Sequence, residues 1–146
     1  MAVVQSSYAS SISDAVAGMV ANMETANKLT RLCEDSGGVG FGKALFQGTN
    51  DNQVTATAST AFIGISMKDV TAIDSTADTY PQYDNVSVLN KGVIWVLAGG
   101  TVAAGEAVYV DGSGDFIESA SGATAIAGAT FDSSGADGDL VRIRLG

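Results

Sequence analysis

The sequence predicts an all-β protein: a small antiparallel β-barrel or sandwich of about nine short strands, preceded by an N-terminal arm. Three observations carry that prediction. Short runs rich in Val, Ile, Phe, Tyr and Trp suit a pleated, half-buried surface. Turn residues separate these runs at regular spacing, with eighteen Gly against a single Pro. The closing run Val141-Arg142-Ile143-Arg144-Leu145 alternates apolar and basic residues with period two. The chain divides into an arm, residues 1–27, and a β-barrel domain, residues 28–146.

Residues 1–13 are rich in Ser. Ile12, Ala15, Val16, Met19, Val20 and Met23 then fall at helical spacing, with Ser11 or Ser13 as N-cap and Asp14 in the first turn. That pattern suits a short helix over residues 14–27, although Gly18 inside it costs about 1 kcal/mol relative to Ala. An extended arm is the alternative. Strands follow at residues 28–33, 41–47, 54–57 and 62–67, with Gly64 marking a bulge or a close backbone approach. Residues 71–84 read as a polar loop in which Pro81 keeps Tyr80 out of the helical region. Further strands are expected at residues 86–89, 93–97, 107–110, 116–118, 125–131 and 140–145. Asp111-Gly112-Ser113-Gly114-Asp115 is a turn between two of them.

The 146 residues suffice for one domain that buries roughly 70% of its unfolded surface. Net charge is −9, and residues 101–139 hold seven acids and no base. Such a surface repels phosphate backbones, so no nucleic-acid partner is expected. Arg142 and Arg144, the only bases after Lys91, are expected opposite acids of the 106–139 region. Cys33 is the single cysteine, which excludes an intrachain disulfide; it reads as a packed thiol in a buried strand. The N-terminal stretch lacks a basic region followed by an apolar run, and no segment approaches the ~20 apolar residues of a membrane span. A soluble protein made in a reducing compartment is the expectation, with no membrane partner.

Gly37-Gly38-Val39-Gly40-Phe41-Gly42-Lys43-Ala44 nearly spells a phosphate-binding loop. Ala44 stands where a hydroxyl should bind Mg²⁺, and the following residues are too few for the required helix. A bulged connector between strands is the better account. The acidic segments 111–115 and 132–139 lack the ligand spacing of a calcium loop and read as turns. The Asn85-Val86-Ser87 sequon has meaning only in a secretory pathway. Trp95, mid-strand, is assigned to core or subunit-interface burial. There is no His, and no spacing nominates a carboxylate pair, so the chain is not expected to be an enzyme or to take a cofactor, a metal or a small-molecule substrate.

The chain resembles the structural cement, or capsid decoration, proteins of tailed bacteriophages over most of its length. The resemblance rests on Ala15-Val16-Ala17-Gly18-Met19-Val20-Ala21 and on Gly40-Phe41-Gly42-Lys43-Ala44-Leu45-Phe46-Gln47-Gly48-Thr49. It continues in Phe62-Ile63-Gly64-Ile65-Ser66, in Tyr83-Asp84-Asn85-Val86-Ser87-Val88-Leu89-Asn90-Lys91-Gly92-Val93-Ile94-Trp95-Val96, the most distinctive stretch, and in the closing run to Gly146. It implies a small β-barrel-like protein with an extended arm, bound outside an icosahedral head in the virion, made in the host bacterial cytoplasm, and bridging neighbouring major capsid proteins. Under that implication Val3, Val4, Tyr8, Ile12, Val16 and Met19 form the grip on the lattice, with Trp95 as a further contact and the acidic turns facing solvent. Self-association as a homotrimer is expected, with a dimer as the alternative. A carbohydrate- or receptor-binding module of a phage tail or bacterial surface is the competing function.

Overall fold

A computed structural model describes residues 15–71 and 77–146. It contains eleven strands and, among the described residues, no helix. In chain order these are β1 (Asn27–Cys33), β2 (Val39–Gly40), β3 (Ala44–Gln47), β4 (Gln53–Thr55), β5 (Phe62–Ser66), β6 (Thr79–Tyr80), β7 (Asn85–Leu97), β8 (Ala107–Val110), β9 (Phe116–Ile117), β10 (Thr124–Phe131) and β11 (Leu140–Leu145). Nine of them form one sheet in the order β1-β4-β3-β5-β7-β11-β10-β8-β9, and β1 also pairs with β7.

That extra pairing closes β1, β4, β3, β5 and the first half of β7 into a five-stranded barrel. The closure is antiparallel except between β1 and β4, where Leu32 and Cys33 run parallel to Gln53 and Val54. The second half of β7 pairs with β11 from Leu97↔Leu140 to Gly92↔Leu145, opening a second sheet with β10, β8 and β9. An Ala98↔Phe116 bridge and the Gly99 N–H donating to Phe116 O bring β9 back to the end of β7. One long strand therefore serves as a wall of two neighbouring rings.

The two expected strands at residues 86–89 and 93–97 are thus one strand of 13 residues. Gly92, between the two expected runs, takes φ +127° and lets the strand continue through it. Asn90 Nδ2 donates to Ile63 O at 2.7 Å and ties this part of the strand to β5.

Period-two alternation supplies two cores. Cys33, Val39, Leu45, Val54, Tyr80, Val86 and Val88 fill the five-stranded barrel. Ala44, Phe46, Ile65 and Leu89, from the opposite faces of the same strands, pack with Ile94, Val96, Phe116, Phe131, Val141 and Ile143 in the second core. Burying a Phe or Leu fully is worth roughly 1.5–3 kcal/mol. Gly64 lets the barrel close: a Cβ there would sit 2.4 Å from Leu89 O, and the β3–β5 register shifts beside it. Both the expected close approach and the bulge occur.

Three expectations need correction. The helix over residues 14–27 is absent over the described residues 15–27; Ala17 and Gly18 form a turn, with Gly18 at φ +88°, and the following backbone bonds to β7. Helical spacing lost because those N–H and C=O groups gain sheet partners that an isolated helix would have to satisfy internally. The loop at residues 71–84 contains β6, whose Tyr80 is fully buried, packs edge-on against Phe41 and donates its hydroxyl to Met67 O at 2.7 Å. The strand expected at residues 41–47 starts only at Ala44, while Val39 and Gly40 form β2 against β6. Cys33 is buried as expected, and burial pushes its thiol pKa up.

Candidate docking surface

The second half of β7 has two edges, and residues 18–21 take the one that β11 leaves open. The Gly18 N–H donates to Trp95 O, the Trp95 N–H to Met19 O and the Ala21 N–H to Val93 O, each at 2.8 Å, and Val20 bridges Ile94 antiparallel. The Lys68 N–H donates to Gly18 O at 2.8 Å, fastening the turn to the end of β5. Further along, Glu24 forms an ion pair with Arg144, which also pairs with Asp132 at 3.0 Å. Arg142 pairs with the same Asp132 at 3.5 Å. The expected acid opposite the arginines is thus Asp132. Glu24 joins from outside the 106–139 region, and only tertiary proximity reveals it.

Val16, Met19 and Leu97 are 42%, 38% and 49% exposed, large enough values to form an apolar patch on a molecule whose other apolar strand residues are mostly covered. A groove of about 280 Å³ lined by Val16, Ala17, Phe41, Lys68 and Leu97 runs beside them. Leu97 was not singled out in the sequence, where it looks like one more β residue; its exposure follows from alternation at the last position of β7. Trp95 is half-buried, belongs to neither core, and lies beneath the Arg142 guanidinium at 5.6 Å. Cross-strand pairing of Trp95 with Arg142 sets up this cation–π contact. Val3, Val4, Tyr8 and Ile12 lie outside the described residues.

The acidic segments are turns. Asp111 Oδ1 accepts from the Ser113 and Asp115 N–H groups at 2.8 and 3.0 Å, and Asp139 Oδ2 accepts from the Ala136 N–H at 2.9 Å. Glu106 and Glu118, flanking the β8–β9 hairpin, share a side-chain hydrogen bond that raises the Glu118 pKa. A cleft of about 510 Å³ separates the Gly38–Lys43 connector from the Asp111 turn. Its carboxylates already hold structure: Asp35 accepts from the Thr55 hydroxyl at 2.6 Å and the Ala56 N–H at 2.8 Å, Asp111 holds its own turn, and the lining Lys43 pairs with Asp115 at 3.6 Å. The geometry there fastens loops together; it does not present a carboxylate pair to a substrate.

The family model for the structural cement proteins (E217 gp24/Pam3 gp6) matches residues 4–146. The chain belongs to this family. A structural, capsid-associated role comes with that membership. A chain from the capsid of Myoviridae phage XM1 superposes with a TM-score of 0.77 at 19% identity, covering 95% of this cement protein and 94% of the other chain. The head fiber gp8.5 N base of bacteriophage phi29 gives 0.49 at 13% identity, covering 84% and 95%. No curated protein matches the chain.

Proposed function

We propose that this protein decorates the outer surface of the icosahedral head, bridges neighbouring major capsid proteins and stabilises the shell against the pressure of packaged DNA. One observation carries the reading best: residues 18–21 are bonded along β7, which holds the exposed Val16 and Met19 beside the exposed Leu97. A segment anchored in this way can transmit load from the lattice into two cores. Val3, Val4, Tyr8 and Ile12 extend the grip that Val16 and Met19 begin, and Trp95 lies next to it. An interface of about 1,600 Å² per contact, repeated over a lattice, would give a large cumulative stabilisation. Homotrimers fit a threefold or quasi-threefold position better than dimers do. The protein has no catalytic role in this reading and is made in the host cytoplasm. A sugar-binding alternative would need an open aromatic platform, whereas Trp95 is occupied by Arg142.

Deleting residues 1–13 tests the grip. The truncated protein should keep the melting behaviour of the full chain but fail to cosediment with purified heads; unchanged head occupancy by the truncated protein would sink the proposal.

A further inference from the structure

Among the described residues, β1 has one open edge. Its residues Asn27–Leu32 pair with β7, while on the other side β4 takes up only Leu32 and Cys33. The Leu32 N–H donates to Asn52 O, the Cys33 N–H to Asp84 O, so successive residues of β1 address opposite sides. By the same alternation Thr30 and Lys28 turn their backbone groups away from β7. The pairing of Ser87 agrees: it sits opposite Thr30, and its C=O accepts from Met67 on the β5 side. Among the described residues, the sole hydrogen bond on this open stretch is from Arg31 Nη1 to Thr30 O, at 3.1 Å. A shallow cleft of about 160 Å³, lined by Lys28, Leu29 and Thr30 of β1 with Ser87 of β7 and Met67, lies over the β1–β7 seam behind this edge.

Among the described residues, the charges at this edge also lack ion-pair partners. Lys43, Arg142 and Arg144 form ion pairs among the described residues; Lys28, Arg31, Lys68 and Lys91 do not. Lys28 and Arg31 belong to β1, and Lys91 stands opposite Asn27. Arg31 Nε is buried with no hydrogen-bond acceptor, an arrangement costly for a guanidinium nitrogen. Two unpaired cations on one strand are conspicuous in a chain of net charge −9.

We propose that the open edge of β1 receives an extended, acidic strand of the head surface, which adds to the sheet beside β1. This rests on the capsid-binding reading above and names the chemistry of one contact. The backbone groups of Lys28 and Thr30 supply the ladder, and Lys28 and Arg31 meet carboxylates of the incoming strand. A second copy of this chain does not fit the edge as well, because among the described residues none of the eleven strands carries an Asp or Glu. Its acids lie in turns and loops, several already bonded there.

The test is a titration of the full-length protein onto decoration-free heads, read by cosedimentation at low and moderate salt. Thr30→Pro removes the N–H on the open side and spares the β7 ladder; K28E/R31E reverses the charge. Each should weaken head binding tenfold or more, and K28Q/R31Q should flatten the salt dependence. Hydrogen exchange of the wild-type protein should slow at residues 28 and 30 on heads. If Thr30→Pro melts early, the charge variants and the exchange map decide. Wild-type affinity in both the proline and charge-reversed variants, or protection elsewhere but not at β1, overturns the inference and leaves the capsid reading standing. Failure of the wild-type protein to bind heads overturns both. Loss of self-association in Thr30→Pro, with head binding unchanged, would assign the edge to a second copy and overturn the acidic-strand partner.

Discussion

The two halves of β7 do the same structural task with different neighbours. Residues 85–91 are held between β1 and β5, in a ring that β1 closes through β7 and, at Leu32 and Cys33 alone, through β4. Residues 92–97 are held between β11 and a short stretch of arm, with no full strand on that edge. The first half is secured by a ring, the second by residues 18–21 and by the ion pairs of Asp132, Arg144 and Glu24. The bases follow the same division, although both parts of the chain are acidic. The sequence through Lys91 has five bases, two of them on β1, whereas residues 92–146 hold only Arg142 and Arg144 against seven acids. The open edge of β1 and the apolar patch beside the arm are therefore two chemically different surfaces on one molecule, one suited to backbone pairing and carboxylates, the other to apolar contact.

The strongest test of the linked halves is Phe46→Ala. Phe46 comes from β3 of the barrel but packs in the second core, edge-on against Phe62 at 5.7 Å. Its loss should cost about 3–5 kcal/mol and lower one cooperative thermal transition. Two separate transitions by calorimetry would show that the halves fold independently. A smaller effect is expected from Gly92→Val at the junction. The positive φ and an Ala26 Cβ only 3.2 Å from the added Cβ should cost about 1–3 kcal/mol. Amide exchange should quicken at Ala21 and Trp95 before it changes at β1; uniform quickening would remove the distinction between the halves.

The smallest effect is electrostatic and confined to the acidic half. The protonated Glu118 carboxyl donates to Glu106, which holds the Glu118 pKa above its ordinary value of 4.5. A raised carboxylate pKa contributes stability that is fully present below the unfolded value and is lost as pH rises through the folded value. Glu118→Gln should therefore raise the melting temperature slightly at pH 7 and flatten its fall as pH rises above 4.5. An unchanged pH profile would mean that the two carboxylates do not share a proton.

Much of the strand pattern was legible because alternation and turn chemistry are local. The runs at β5, β8, β10 and β11 announce themselves through β-branched and aromatic residues between Gly, Asp and Ser turns. Tyr80 was not legible: a polar neighbourhood and Pro81 suggested a loop, while its burial depends on Phe41 and Met67 folding over it. Val16 and Met19 could be marked as apolar, but their exposure beside Leu97 is a property of the assembled surface. The Trp95 environment was likewise decided by an arginine 47 positions away in the chain.

The sequence alone determined the all-β class, the turns, the acidic character of residues 101–139 and the absence of histidine chemistry, since each depends on residue type and short-range spacing. Tertiary structure decided that two expected strands are one, that β1 closes a ring through β4 and β7, and that residues 18–21 run extended along a sheet edge, the alternative to a helix that the spacing left open. Those outcomes turn on which distant backbone groups find partners. A hydrogen bond between Gly18 and Trp95, or an unpaired edge at Thr30, exists only once the chain has brought its remote segments together.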